Sequence, residues 1–483
     1  MKHILQKCSK SVQDTHHRNT AKADYKPVVD KSLLTVTTSL GSLNLVSLAM
    51  PIFLELIFNN LIGTVSTTVL SGYSEEAVVA TGTVNIVFSL FIVFFSSVST
   101  GASVVISNLI GMEQLKKARN ACWSAVVLLA CLGILGMGLL LLISSTLVTL
   151  MNMSGTVYTL AVTYTRIRAC SLVFMTLSNV MLAIMRCYGY PKCTVVTGMI
   201  KNICNLICSY YAVNFAQIEW LSGVSGVALG CVLSELISIS IVSFMFFRLK
   251  LKLECTENLK ELVSLVKRML TIGIPTCVSN ASFTLSQLVT NSFAVLLGIH
   301  AVSGKIYFAN ILCYAYLFSS GVGNANALMA GRLYGAGRYE HADRLNRMLV
   351  RFTVPVNLAV SLTILALRVP LLSLFTDNHL IMEMAVGIFL VDIIAEQARA
   401  FSHVYEYSLR STEDVVLTMI VTLVSGWVFS VGLAYYLSVP CGIGLIGCYI
   451  GLSIDESIRA VFTYFRWKYR MKQLMRNSVK KAA

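Results

Sequence analysis

The stretch Val391-Asp392-Ile-Ile-Ala-Glu396-Gln-Ala-Arg399-Ala-Phe-Ser-His403 sets Asp392, Glu396, Arg399 and His403 at intervals of four, three and four within an apolar run. Those intervals put all four on one face of a helix. An ionised side chain costs about 2.5–3.5 kcal/mol at the centre of a helix in lipid, so the stripe must face protein or a cavity. Two chemistries suit it. In one, Glu396 or Asp392 takes a proton, Arg399 tunes it and His403 relays it. In the other, Glu396 and Arg399 form a permanent ion pair that locks the helices together. Asp455, Glu456 and Arg459 pose the same choice, since both acids lie within one helical turn of the arginine.

A second set clusters on two prolines. Glu55 follows Pro51 by four residues, and Asn59 and Asn60 come one turn later. Glu55 reads either as a proton or cation site or as an interfacial acid with a helix partner; the asparagines read as substrate contacts or interhelical hydrogen bonds. Gln287 and Asn291, four apart and downstream of Pro275, carry the same pair of readings. A proline inside a membrane helix frees a carbonyl that neighbours or cavity water must satisfy, so Pro51 and Pro275 are hinge candidates as well as fixed kinks. Phe58, Tyr307, Tyr314, Tyr316, Tyr405 and Tyr407 fall in the same spans, where ring faces suit an organic cation.

The elements that must position these groups are membrane spans. Of 483 residues, 56% are apolar and 13% charged, and the mean hydropathy is +0.74. That charge fraction is about half that of a soluble domain. With about 20 apolar residues needed per crossing, the sequence predicts twelve spans: 43–70, 77–108, 121–146, 157–185, 193–215, 222–247, 269–298, 305–331, 348–375, 380–408, 414–439 and 442–465. Placing the N-terminus in the cytoplasm leaves only Lys305 and Arg368 outside, among 38 Lys and Arg; Arg166, Arg168, Lys201, Arg399 and Arg459 fall within spans, and the rest face inward. This is a positive-inside pattern, with both termini cytoplasmic and a multi-pass plasma-membrane location. It accounts for the net charge of +15 without nucleic acid. The 14 cysteines are scattered without CxxC spacing and read as buried thiols. No GxxxxGK[ST], HExxH or GxSxG motif occurs, which excludes a phosphate-loop pump, a zincin and a serine hydrolase of the usual kinds.

An internal repeat organises the spans. Met50-Pro51, Gly111, Ala118 and Met185-Arg186 recur as Ile274-Pro275, Gly335, Ala342 and Leu409-Arg410, offset by 224 throughout. The offset then shifts by three, and Gly223, Gly226 and Glu235 match Gly444, Gly447 and Glu456. With six spans in each half, the repeat is parallel. The fold class expected is therefore an all-α polytopic membrane protein of twelve transmembrane helices in two six-helix lobes. Residues 1–32 would be a disordered cytoplasmic tail, 33–247 the N-lobe, 248–268 an amphipathic cytoplasmic linker, 269–466 the C-lobe and 467–483 a basic tail.

LAMPIFLEL (48–56), GTVSTTVLSGYSEEAVVATG (63–82), STGASVVISNLIG (99–111), AIMRCYGYPK (183–192), IGIPTCVSNASFTLSQLV (272–289), AGRLYGAGRYEHA (330–342), SLRSTED (408–414) and GLIGCYIGLSIDESIRA (444–460) carry a family likeness. In this order they resemble the multidrug and toxic compound extrusion (MATE) family, over almost the whole chain after residue 40. The resemblance implies a secondary transporter that exports organic, often cationic and aromatic compounds by alternating access, coupled to H⁺ or Na⁺, and not an enzyme. It implies no other cofactor and no metal site; its partners would be a small organic substrate and the bilayer, and the chain would act as a monomer. The resemblance also exposes departures. The acid expected in span 1 is Ser66, the acid expected after the span 7 proline is Ser279, and in spans 5 and 6 the family's polar positions fall on Asn205, Ser209 and Cys231, with Asn205 alone retained. Those losses weaken usual N-lobe cation coupling, because neutral oxygens compensate a hard cation's dehydration poorly. Coupling through the C-lobe, facilitated transport, a lipid-linked oligosaccharide flippase, and a transport-inactive sensor or scaffold of the same fold stay open.

Overall fold

A computed structural model describes residues 35–38, 41–71, 75–151, 153–215, 223–251, 253, 258–376 and 378–482, without the side chains of 35–38, 41, 42, 61–71, 75, 78, 259, 479, 481 and 482. The expected tail 1–32 lies outside the described residues.

Each expected span is a helix. The first half holds Leu45–Ser71, Glu75–Gly111, Leu115–Leu150, the pair Gly155–Ala169 and Ser171–Cys187, Pro191–Asn214 and Gly223–Arg248. The second holds Leu259–Leu296, Ile299–Gly335, Tyr339–Ala366, His379–Ser411, the segments from Val416 to Ser438, and Leu445–Ala482. The chain is thus a twelve-helix membrane protein of two lobes. Among the described residues, seven spans are long and apolar enough to cross a bilayer unaided, and the fourth joins them as a pair bent by 42° at Cys170; span 1 is apolar over Leu45–Asn60, the stretch whose side chains are described. Spans 1, 5, 10 and 12 hold most of the polar residues singled out above. Their polarity is affordable only because it faces protein.

Four details differ from the sequence reading. A short antiparallel hairpin, Thr35–Thr38 with Gly41–Asn44, precedes span 1 in a chain expected to be all α. Its β-branched threonines favour extended backbone, and its last residue, Asn44, accepts a hydrogen bond from Val46 N at 3.0 Å to start the helix. The 248–268 linker is not a separate interfacial element throughout: Asn258 caps a helix by accepting from Lys260 N at 3.1 Å, and that helix runs unbroken into span 7. Span 12 continues through the expected basic tail to Ala482. Span 11 changes to a π-helix over Gly426–Leu433.

The repeat is visible as packing. A Cβ on Gly111 would lie 2.2 Å from Arg332 O, and one on Gly335 would lie 2.0 Å from Asn108 O. Residues 108 and 111 are the repeat mates of 332 and 335, so this is a reciprocal contact between spans 2 and 8 about the axis that relates the halves. Within the second half, Gly447 and Gly451 let span 12 approach Ser438 N and Phe429 O to 2.7 and 2.6 Å of a would-be Cβ. Small residues four apart allow such close helix packing in lipid.

Candidate functional site

Most ionisable side chains inside the spans gather in two places, one per lobe; Lys305, expected outside the membrane, is instead buried in span 8 apart from both. In the N-lobe, spans 1, 2, 4, 5 and 6 surround a cavity of about 690 Å³, with a further wall from Asn324, Ala327 and Leu328 of span 8. Five charged side chains line it: Glu55, Arg168, Arg186, Lys201 and Glu235. Arg186 stands 3.6 Å from Glu55, and Lys201 Nζ donates to Glu235 Oε1 at 3.2 Å. Asn202 donates to Asn59 Oδ1 at 2.7 Å. Glu55 Oε2, Glu235 Oε2 and Asn205 Oδ1 are buried acceptors without a hydrogen bond among the described residues.

Arg168 occupies the last turn of the upper segment of the bent fourth span, two residues before the bend. There the helix C-terminus favours a cation. Its guanidinium bonds to Asn85 Oδ1 and, at 2.8 Å, to Tyr164 Oη, and it lies 4.5 Å from the centre of the Phe88 ring. All three neighbours are neutral.

In the C-lobe the charges are joined in a chain. Glu396 pairs with Arg399 of its own helix, whose Nε donates to Glu456 Oε1 of span 12 at 3.0 Å. Arg459 Nη2 donates to Glu456 at 2.8 Å and to Asp455 Oδ2 at 2.9 Å. Ser425 and Ser430 donate to the two Asp455 oxygens at 2.6 and 2.8 Å. The π-helix explains how both can: its i→i+5 bond stacks residues five apart, as an α-helix stacks residues four apart. Asp392 is buried one turn from Glu396, and no Lys or Arg lies within ion-pair distance of it among the described residues. Glu396 Oε2 also has no hydrogen-bond partner there.

The structure thus brings Glu396, Arg399, Asp455, Glu456 and Arg459 into one network, with Asp392 at its edge, and it brings Glu55, Asn59 and Asn205 into the N-lobe cavity. Cys231 lines that cavity too, and Ser209 is buried in span 5. Other expected residues fall elsewhere. His403 packs edge-on against Tyr316 and Tyr407, at 5.7 and 5.6 Å, and its Nδ1 has no hydrogen-bond partner among the described residues; it lies near enough to Glu406 and Glu456 to act on them electrostatically, without a hydrogen bond to the network. Asn60 is exposed and donates to Leu56 O of its own helix at 3.0 Å. Gln287 is half-buried, Asn291 is exposed, and neither lines the cavity. Ser279 donates to Pro275 O at 3.1 Å, and the helix runs continuously through Pro275, as span 1 does through Pro51. The side chain of Ser66 lies outside the described residues. None of the six expected rings lines the N-lobe cavity, whose aromatic residue is Phe88; Tyr405 is buried against Phe401 and Tyr464.

Sequence reasoning passed over Arg168, Lys201 and Glu235 as site residues. The signal was present, since any ionisable residue within a span marks a candidate site. Glu235 is also the repeat mate of Glu456, so each lobe centres its ion network on the same repeat position.

The lobes meet tightly at the face that carries the inter-repeat linker. Asn108 Nδ2 of span 2 donates to Ser411 O at 3.2 Å and Glu413 Oε1 at 3.1 Å, and Arg268 also binds Glu413. Arg332 of span 8 donates to Cys187 O of span 4 at 2.6 Å. These contacts hold the two lobes together at that face.

A family model described as MatE matches residues 51–211 and again 275–436. The two matches begin at Pro51 and Pro275, in register with the repeat. The transporter YisQ of Bacillus subtilis, itself uncharacterized, is 27% identical over 448 residues, which is 92% of this chain and 98% of its own. A probable multidrug resistance protein NorM of Thermotoga maritima is 26% identical over 443 residues, 88% of this chain and 93% of its own. Among solved structures, an outward-facing multidrug resistance MATE family transporter of the MOP superfamily superposes with a TM-score of 0.82, covering 89% of this chain and 96% of that one at 20% identity. A MOP superfamily transporter from Pyrococcus furiosus gives 0.79, with the same coverage and 19% identity.

Proposed function

The chain belongs to the MatE family of membrane transporters, and on that premise we propose that it exports small organic compounds by alternating access, driven by an inward H⁺ or Na⁺ gradient. One observation carries the reading: the N-lobe cavity borrows a wall from span 8 of the other lobe. A compound held there touches both lobes, so its binding free energy depends on how they are placed. Such differential binding is what lets a ligand shift a conformational equilibrium.

The driving ion acts in the C-lobe. Asp392, Glu396, Glu406, Asp455 and Glu456 place five carboxyl groups against three guanidinium groups, those of Arg399, Arg410 and Arg459. Membrane interior does not tolerate the resulting excess of negative charge, so the network takes up protons or a cation. Asp392 and Glu396 Oε2, which lack the arginine contacts of Glu456, are where that uptake is cheapest. Glu396, Arg399 and Glu456 then combine both chemistries: a pair that holds spans 10 and 12 together, beside an acid whose occupancy changes.

Contacts between the lobes at the linker face support a state in which the N-lobe cavity opens outward, with that face taken as cytoplasmic. The two tails and the loops between spans assigned to that face carry nearly all the Lys and Arg outside the spans, which supports a plasma-membrane protein with both termini inside. The test is efflux from proteoliposomes of the purified chain. A pH or Na⁺ gradient accelerates release of a trapped substrate in wild type, and Glu396→Gln abolishes the acceleration while the protein stays folded. Acceleration retained in that variant removes Glu396 from coupling.

A further inference from the structure

We infer that the N-lobe cavity takes an organic acid, held by Arg168, in place of the organic cation that the family resemblance implies. The inference rests on the proposed transport function and names the substrate class of the same site. Glu55 stands opposite Arg186, and Glu235 opposite Lys201, so these four balance. Arg168 is the fifth: it bonds to the amide of Asn85 and the hydroxyl of Tyr164 and lies over the rings of Phe88 and Tyr164, while Glu235, already bound to Lys201, acts on it from beyond ion-pair distance. No carboxylate pairs with it among the described residues. The cavity wall therefore carries one positive charge in excess.

A guanidinium within a span without a carboxylate in ion-pair contact is costly, and its planar fork of donors matches a carboxylate, sulfonate or phosphate. An anionic group entering the cavity supplies the missing counter-charge. A cation meets the opposite condition, since both acids in the wall are already engaged by basic groups. The rest of the wall adds to the description. Asn205 Oδ1 and Glu235 Oε2 are buried acceptors with no donor of their own. A compound that carries hydroxyl or amide N–H groups beyond its acid satisfies them, whereas a purely aromatic anion leaves them unpaired. The site thus fits an acidic compound with hydrogen-bond donors. The position of Arg168 suits coupling to movement as well, because it sits next to the bend of span 4, where a change of bend angle moves the guanidinium relative to spans 5 and 6.

The test uses two xanthene dyes of similar size and opposite charge, fluorescein and rhodamine 6G. Binding to the full chain in nanodiscs is read by fluorescence polarisation without any gradient, and flux is read separately in proteoliposomes. Wild type binds fluorescein at least tenfold more tightly than rhodamine 6G. Arg168→Gln loses roughly ten- to a hundredfold in fluorescein affinity, the scale of a hydrogen bond to a charged group, and Arg168→Lys retains part of it. Asn85→Asp keeps the guanidinium but supplies an internal counter-ion of nearly the same shape, and it lowers fluorescein affinity to the same degree even if Arg168→Gln fails to fold. Preference for rhodamine 6G in wild type overturns the inference, as does an Asn85→Asp variant that binds fluorescein like wild type. Anion-selective binding without gradient-driven flux leaves the site assignment standing and defeats the transport reading; gradient-driven export of rhodamine 6G alone does the reverse.

Discussion

Neutralising Glu456 should destabilise the C-lobe more than neutralising Glu396, although both are buried carboxylates on one arginine. Glu456 accepts from Arg399 Nε at 3.0 Å and from Arg459 Nη2 at 2.8 Å, so it bridges two guanidinium groups and ties span 10 to span 12. Removing one partner of a buried ion pair costs about 3–5 kcal/mol. In Glu456→Gln each arginine keeps one carboxylate, Glu396 for Arg399 and Asp455 for Arg459, which puts the loss near the lower end, about 3 kcal/mol or roughly a hundredfold in the folding equilibrium. Glu396 pairs within its own helix, three residues from Arg399, and one of its oxygens has no hydrogen-bond partner among the described residues. Its neutral form therefore leaves the bridge between helices intact, and Glu396→Gln should cost about 1 kcal/mol, the scale of one ordinary hydrogen bond. Unfolding in mixed micelles of rising dodecyl sulfate content measures both. Trp467 reports on span 12, since it is fully buried and its Nε1 donates to Asp343 Oδ1 at 3.0 Å. An order of stability with Glu396→Gln below Glu456→Gln would refute the assignment of Glu456 as the bridge.

Three further outcomes follow from other parts of the molecule. Ser430→Ala removes one of two hydroxyl bonds to a buried carboxylate and should lower stability by about 1.5–3 kcal/mol in the same unfolding assay; a neutral result shows that the π-helix does not serve Asp455. Gly335→Val places side-chain atoms where a Cβ would already be 2.0 Å from Asn108 O, so it should part the lobes at the linker face. Spin labels at positions 112 and 336 in a cysteine-depleted background read the separation, and an unchanged distance contradicts the close contact. Lys201→Met strands Glu235 in the cavity wall and should be rescued in part by adding Glu235→Gln, with an interaction energy of about 0.5–3 kcal/mol in a double-mutant cycle; strict additivity means the pair is not coupled.

The spans and the repeat were legible in the sequence because both are written in strong signals. Long apolar runs admit one structure in lipid, and Gly111 and Gly335 recur in register because each must let the other half's backbone approach. The C-lobe network was legible too, since Asp392, Glu396 and Arg399 lie within one helix and local spacing fixes their common face. What was not legible depends on contacts between distant helices. Arg168, Lys201 and Glu235 lie in three different spans, and only the folded lobe shows which of them are paired. His403 shares the stripe of Glu396 but its ring packs against Tyr316 and Tyr407 and forms no hydrogen bond to the acids, a contact that spacing alone does not show. The bend at Cys170 and the π-helix in span 11 leave no mark in composition, because both are set by what the neighbouring helices require.

The central claim is that filling the cavity between the lobes and loading the C-lobe acids are two events on one conformational equilibrium. Proteoliposomes of the purified chain, loaded with fluorescein and exposed to an imposed pH or Na⁺ gradient, test it most directly. The account predicts faster export with one of the two gradients, together with reciprocal ion movement when the dye gradient alone is imposed. Export indifferent to both gradients, with no ion movement driven by the dye, would contradict it.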